Sequence, residues 1–111
     1  MADQPHDAGA ITLINVFEIR PGDVEQFLQE WQDRAHFLER QPGFRSLRLH
    51  RALSPDARFQ VVNVAEWDSA EALRAATAQD FFQQSAQRSM QEFVVAANPA
   101  IYRVVVEYTA E

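Results

Sequence analysis

The stretch Phe59-Gln60-Val61-Val62-Asn63-Val64-Ala65-Glu66-Trp67 decides the fold. β-Branched and aromatic residues dominate it and Asp68-Ser69 closes it, so it reads as a β-strand. Alternate strand residues share a face, which puts Phe59, Val61, Asn63, Ala65 and Trp67 on one side. Four residues at ~3.3 Å each separate Asn63 from Trp67 by about 13 Å, a span that fits a flat ligand of three fused rings. The face is otherwise apolar, and a buried amide without a partner costs roughly 1–3 kcal/mol. Something must satisfy Asn63.

Outward from that strand, punctuation divides the chain into alternating elements. Ile11–Arg20 reads as a first strand closed by Pro21-Gly22. From Asp23, the apolar positions Val24, Phe27, Leu28, Trp31, Ala35 and Leu38 recur at helical spacing to about Arg40, where Gln41-Pro42-Gly43 stops the helix. Phe44–Ala52 is a second strand, and Ser54-Pro55-Asp56-Ala57 turns into the third. Asp68-Ser69-Ala70-Glu71 has capping-box spacing and opens a helical region reaching about Ala96, with Thr77-Ala78-Gln79-Asp80 marking a break. After Asn98-Pro99, Ala100–Tyr108 is a fourth strand. The order β-α-β-β-α-β predicts an α+β, ferredoxin-like fold with an antiparallel sheet. Residues 1–9 are expected to be a flexible tail, and 10–111 a single domain.

Composition narrows the function. At 111 residues the chain has room for one real core. A net charge of −6 argues against a nucleic-acid partner, which would demand a basic face. With no cysteine there are no disulfides, thiolate nucleophiles or thiolate metal sites. No apolar run approaches the ~18 residues of a membrane span. The acidic start Met1-Ala2-Asp3-Gln4-Pro5-His6-Asp7 lacks the pattern of a secretory signal, so a cytoplasmic protein is the default expectation. Three glycines make neither a GxGxxG loop nor a P-loop. His6, His36 and His50 have no partners at metal-ligand spacing, so no metal centre is expected, and His50 should face an edge or the side away from the helices.

In a ferredoxin-like sheet the first and third strands are central neighbours. Leu13, Asn15, Phe17, Val61, Asn63, Ala65 and Trp67 then meet the helices. The opposite face carries Ile14, Val16, Val62 and Val64, joined by Val104 and Val106 (or Val105). No further element remains to cover that apolar patch, which predicts a homodimer with two sheets face to face in a barrel-like core. Glu18 and Glu66 fall on that side, with Arg51 and Arg103 as candidate partners. Asn15 and Asn63 become two carboxamides on one apolar face. Such a pair can hold a carbonyl or phenolate oxygen and steady developing negative charge; equally, the two can hydrogen-bond each other or cap loose backbone at the helix break. Trp67 can stack on an aromatic ligand or serve simply as core.

The residues Ile14-Asn15-Val16-Phe17, Gln41-Pro42-Gly43-Phe44 and Asn63-Val64-Ala65-Glu66-Trp67, in this order and spacing, resemble the antibiotic biosynthesis monooxygenase (ABM) family over roughly residues 10–108. The pattern is most similar to the polyketide anthrone monooxygenases, small dimers that use neither metal nor flavin. The resemblance implies a cofactor-independent oxidation of an aromatic, anthrone- or quinol-like substrate to a quinone, with O₂ as co-substrate. It implies Asn15, Asn63 and Trp67 as catalytic residues: the amides on the substrate's oxygens, the indole on its rings or on a peroxy group. A tyrosine used by some members is replaced here by Ala72-Leu73, and Arg88 is the candidate for an arginine used by others. Haem-degrading relatives share the strand asparagine and the tryptophan but take their haem ligand from a histidine in the second helical region, which Asp80–Ala86 lacks. A dimeric module that binds a small molecule without turning it over is the non-enzymatic alternative.

Overall fold

The computed structural model describes residues 9–111, so the expected N-terminal tail lies, but for Gly9, outside the described residues. Four strands form one antiparallel sheet: β1 (Ile11–Ile19), β2 (Phe44–Arg51), β3 (Val61–Trp67) and β4 (Val94–Tyr102). Their order across the sheet is β2-β3-β1-β4, with β1 and β3 central. A short 3-10 turn (Pro21–Asp23) leads into α1 (Val24–Glu39), and α2 (Ala70–Thr77) and α3 (Asp80–Glu92) follow β3. This is the expected ferredoxin-like α+β plan, with the break between α2 and α3 where Thr77–Asp80 marked it.

The helices cover one face only. Phe17, Ile19, Val61, Ala65 and Trp67 from the sheet pack with Val24, Phe27, Trp31 and Leu38 of α1 and Leu73 and Ala76 of α2 to make the core. The alternating burial of β3, in which Val61, Asn63, Ala65 and Trp67 are buried and Val62, Val64 and Glu66 are not, settles which side faces inward. Ring contacts tie the layers together: Phe17 lies 5.0 Å from Phe27 and 6.4 Å from Trp31, centroid to centroid.

Several boundaries differ from the sequence reading, each for a local reason. The third strand begins at Val61 because Gln60 acts as a clamp: its buried Nε2 donates to the carbonyls of Ser54, Pro55 and Ala57 at 3.1, 3.3 and 2.6 Å and fixes the preceding turn. The cap of α2 is Ser69, whose Oγ accepts from the Ala72 N–H at 3.1 Å, while Asp68 takes Arg45 at 2.6 Å. Thr77 does not cap α3; its hydroxyl donates back to the Leu73 carbonyl and helps end α2. The fourth strand starts six residues earlier than expected, at Val94 rather than Ala100, and carries Pro99 within it. β4 is an edge strand, where a missing N–H can face outward. Val104, Val105 and Val106 therefore lie beyond the strand, and the open face receives Asn98, Ala100 and Tyr102 instead. The anticipated partners of the charged residues also change: Arg51 pairs with Glu25 at 2.6 Å and Glu18 with Arg58 at 3.4 Å.

One glycine is required by geometry. Gly43 has φ of +86°, and a Cβ there would sit 2.5 Å from the Cβ of Ala72. Its carbonyl accepts from the Asp68 N–H at 2.7 Å, joining the end of α1 to the end of β3 beside Trp67. The Gly43→Ala variant should lose about 2–4 kcal/mol of unfolding free energy from positive-φ strain plus the clash. Urea denaturation would check this; an unchanged midpoint would mean the 41–43 turn can relax.

Candidate functional site

The register of the two central strands places Asn15 directly opposite Asn63. Both point into the layer between sheet and helices: Asn63 is 2% exposed, and Asn15, next to β4, is half-buried. Their flanking pairs are apolar, Leu13 with Ala65 and Phe17 with Val61. Despite facing each other, the amides do not hydrogen-bond. Oδ1 of each is buried with no partner among the described residues. A structural role in which each satisfies the other, or in which either caps the helix break, is therefore not what this arrangement shows.

Trp67 ends the same row and is 1% exposed. Its indole meets the Phe44 ring edge-on at 5.3 Å and 85°, which fixes its plane. The structure thus puts all three sequence-expected residues on one inward face, with Trp67 as an end wall. Arg88 is exposed on α3. His50 is exposed on the open side of β2, near the Val62 carbonyl at 3.3 Å, and His36 is exposed beside Glu39 at 3.2 Å on α1. Neither of these histidines faces the layer, and no group of three or more His, Cys, Asp or Glu among the described residues could hold a metal ion.

Helix α1 contributes two groups that sequence reading missed. Trp31 Nε1 and Arg34 Nε are also buried with no partner among the described residues. Arg34 is 3% exposed, its guanidinium 4.8 Å from the Trp31 ring centroid and 5.9 Å from that of Phe27. One terminal nitrogen donates to Ser89 Oγ at 2.7 Å, and Ser89 in turn donates to Glu30 Oε1 at 2.8 Å. Burial pulls the Arg34 pKa down to about 10, Glu30 opposing and Arg88 adding to the effect, so the side chain remains a cation at neutral pH. The clue was available: Phe27, Trp31, Arg34 and Leu38 fall at i, i+4, i+7 and i+11, so Arg34 occupies a slot of the apolar stripe.

Beyond Ser89 the network reaches the surface. A hydrogen bond that its protonated carboxyl donates to Glu30 holds Glu92 above its ordinary pKa, with burial adding to the rise. These two acids, with Asp33, line an open cleft between α1 and the end of α3. That cleft is acidic, and none of Asn15, Asn63 and Trp67 lines it.

Comparison with known proteins gives the family. The model of the antibiotic biosynthesis monooxygenase family, ABM, matches residues 10–88. The chain belongs to this family. It is 37% identical over 76 residues to the deoxynogalonate monooxygenase of Streptomyces nogalater, a match covering 68% of this chain and 62% of that protein. It is 32% identical over 65 residues to a mycobilin-producing heme oxygenase of Mycobacterium tuberculosis, covering 59% of this chain and 60% of the relative. The chain thus spans about three fifths of the length of these curated relatives. Among solved structures, SnoaB, a cofactor-independent oxygenase from Streptomyces nogalater, superposes with a TM-score of 0.76 at 27% identity, covering 90% of this chain and 97% of that one.

Orphaned buried amides should burden the fold. Replacing Asn63 by Leu is expected to leave stability unchanged or raise it by about 1–2 kcal/mol, because an unpaired polar group gives way to an apolar one. A double-mutant cycle with Asn15→Leu in urea should give a coupling at the low end for cross-strand neighbours, about 0.5 kcal/mol, because no hydrogen bond joins the two amides. A strongly destabilised single variant with large coupling would show that the two amides support each other after all.

Proposed function

We propose that this ABM-family chain is a cofactor-independent monooxygenase that oxidises an aromatic, polyketide-type substrate of anthrone or quinol character to a quinone with O₂. The observation that carries the reading is the Asn15–Asn63 pair: two amides face one another on the central strands, their oxygens unpartnered among the described residues and flanked along both strands by apolar pairs. Family membership and the likeness to SnoaB support it. An amide can turn about its terminal torsion to present either its oxygen or its NH₂. The pair can therefore grip hydroxyl or carbonyl oxygens on the edge of a fused-ring ligand lying toward Trp67.

The chemistry balances without a cofactor. Loss of a proton from the substrate's ring methylene gives a carbanion conjugated to an enolate. One electron passes from it to O₂, the substrate radical and superoxide combine, and protonation gives a hydroperoxide. That species loses water to leave the ketone, so one oxygen atom of O₂ enters the product and the other leaves as water. Asn15 and Asn63 grip oxygens on one edge of the substrate and hold it in register for this sequence, and Trp67 walls off the ring system beside the forming peroxide.

Haem does not fit this layer. Residues 80–92 of α3 contain no histidine, and His36 and His50 point elsewhere. Titration with hemin should leave the Soret band as in free hemin; a shifted, saturable band would favour the chemistry of the mycobacterial relative.

The assembly proposed with this function is a homodimer through the open sheet face. Ile14, Val16, Val62 and Val64 line that face, and no described helix packs over it. Val104, Val105 and Val106 are 63, 86 and 73% exposed on the segment after β4, a β-forming run that a second copy would cover. Sedimentation should give twice the 12.7 kDa chain mass, and Val104→Asp with Val106→Asp should shift it toward the monomer.

Turnover is tested with dithranol as a model anthrone, followed by quinone absorbance with and without O₂. Oxygen-dependent conversion should fall at least tenfold in both Asn63→Ala and Trp67→Phe. Wild-type rates in both variants would remove these residues from the mechanism, and no conversion by the wild type would favour a binding module that does no chemistry.

A further inference from the structure

The layer holds four unpartnered buried polar atoms, and they divide by chemistry. The sheet contributes two amides, able to accept or to donate. Helix α1 contributes Trp31 Nε1 and Arg34 Nε, which can only donate. A ligand satisfying all four must present an acceptor to α1, whereas toward β1 and β3 it can present a hydroxyl. The α1 side also carries a permanent positive charge.

We infer that Arg34 and Trp31 form an oxyanion-binding wall, which takes the ionised oxygen of a bound phenol or enol and orients the ligand with that oxygen toward α1 and its remaining hydroxyl edge toward Asn15 and Asn63. The inference rests on reading the layer as the ligand site, and it specifies the substrate class: an aromatic with an acidic oxygen, bound as its anion.

The details of Arg34 suit this role. Two aromatic rings and Ser89 immobilise the guanidinium, so little ordering remains when a ligand binds. Ser89 uses one terminal nitrogen and leaves the Nε–H free. The compensating carboxylate, Glu30, is held off by the intervening serine and does not pair with Arg34 directly. The other charged groups that bear on the site are Arg88, which adds positive charge from α3, and Glu92, which is hydrogen-bonded to Glu30. A buried cation stabilises an enolate more strongly than a neutral amide does, because charge–charge attraction is little screened there. Ser89 is a positioning residue in this scheme. All four orphan atoms are themselves shielded from solvent.

The experiment measures ionisation, not turnover. Under argon, the full-length protein is mixed with dithranol or with 1,8-dihydroxynaphthalene, which has no oxidisable ring methylene. Binding is followed by tryptophan fluorescence and ionisation by the anion's absorbance as pH is varied. The wild type should lower the pKa of each bound ligand by at least one unit. Arg34→Met should bind the neutral ligand within about threefold of wild type yet abolish the shift, Arg34→Lys should keep part of it, and Trp31→Phe should reduce it. Because Arg34→Met gives up the Ser89 hydrogen bond and the cation contacts with two rings, its urea midpoint is measured alongside, and Arg34→Lys, which keeps the charge, supplies the second folded comparison. A full shift in Arg34→Met, an absent shift in the wild type, or failure of both ligands to bind would overturn the assignment. The two readings fail separately. Naphtholate binding that depends on Arg34 without any oxygenation of dithranol removes the enzymatic reading alone, and oxygenation indifferent to Arg34 removes the oxyanion wall alone.

Discussion

Everything in this molecule depends on the register between β1 and β3. The pairing of Asn15 with Asn63 puts both amides on the helix-facing side together with Phe17, Val61 and Trp67. A slip of one residue in either strand would send its amide to the open face and bring valines or isoleucines inward. The register is held at both ends of β3. At its start the Gln60 clamp fixes the preceding turn, and at its end Gly43 admits the close approach of Ala72 and bonds to Asp68. The site is thus positioned by strands and turns whose hydrogen bonds lie outside it.

Within that frame the fold tolerates a local cost. Four buried polar atoms lack partners in a layer built from Phe17, Phe27, Trp31, Val61 and Trp67. Elsewhere in the molecule comparable groups are satisfied with care, as the three carbonyls around Gln60 Nε2 show. The contrast is the physical argument for function. Among the described residues, the buried polar groups left wanting lie on the inward face of the central strands and on α1, in a chain of the ABM family.

Much of this was legible in the sequence, because its signals are local. Period-two alternation in Val61–Trp67 and Leu13–Phe17 suffices to set the inward face, and Pro-Gly punctuation at 21–22 and 42–43 bounds α1. The fourth strand was misplaced because Val94-Val95-Ala96-Ala97 continues an apolar run without a turn signal, and because Pro99 reads as a breaker unless the strand is known to be an edge. Arg34 escaped notice for a different reason. Its partner Ser89 is 55 residues away, and Glu30 reaches Ser89 across 59. Only the fold brings these together, although a charged residue within the apolar stripe of α1 was itself a sign.

The central claim, that Asn15 and Asn63 are kept unpartnered for a ligand, is tested most directly by their own side-chain amides. The chain contains three asparagines, and the third, Asn98, is exposed on the open face and serves as an internal control. In ¹⁵N–¹H spectra recorded under argon, added dithranol should move the side-chain NH₂ signals of Asn15 and Asn63 together and saturably while Asn98 stays still. Signals of Asn15 and Asn63 that remain unmoved while the ligand demonstrably binds would contradict the account.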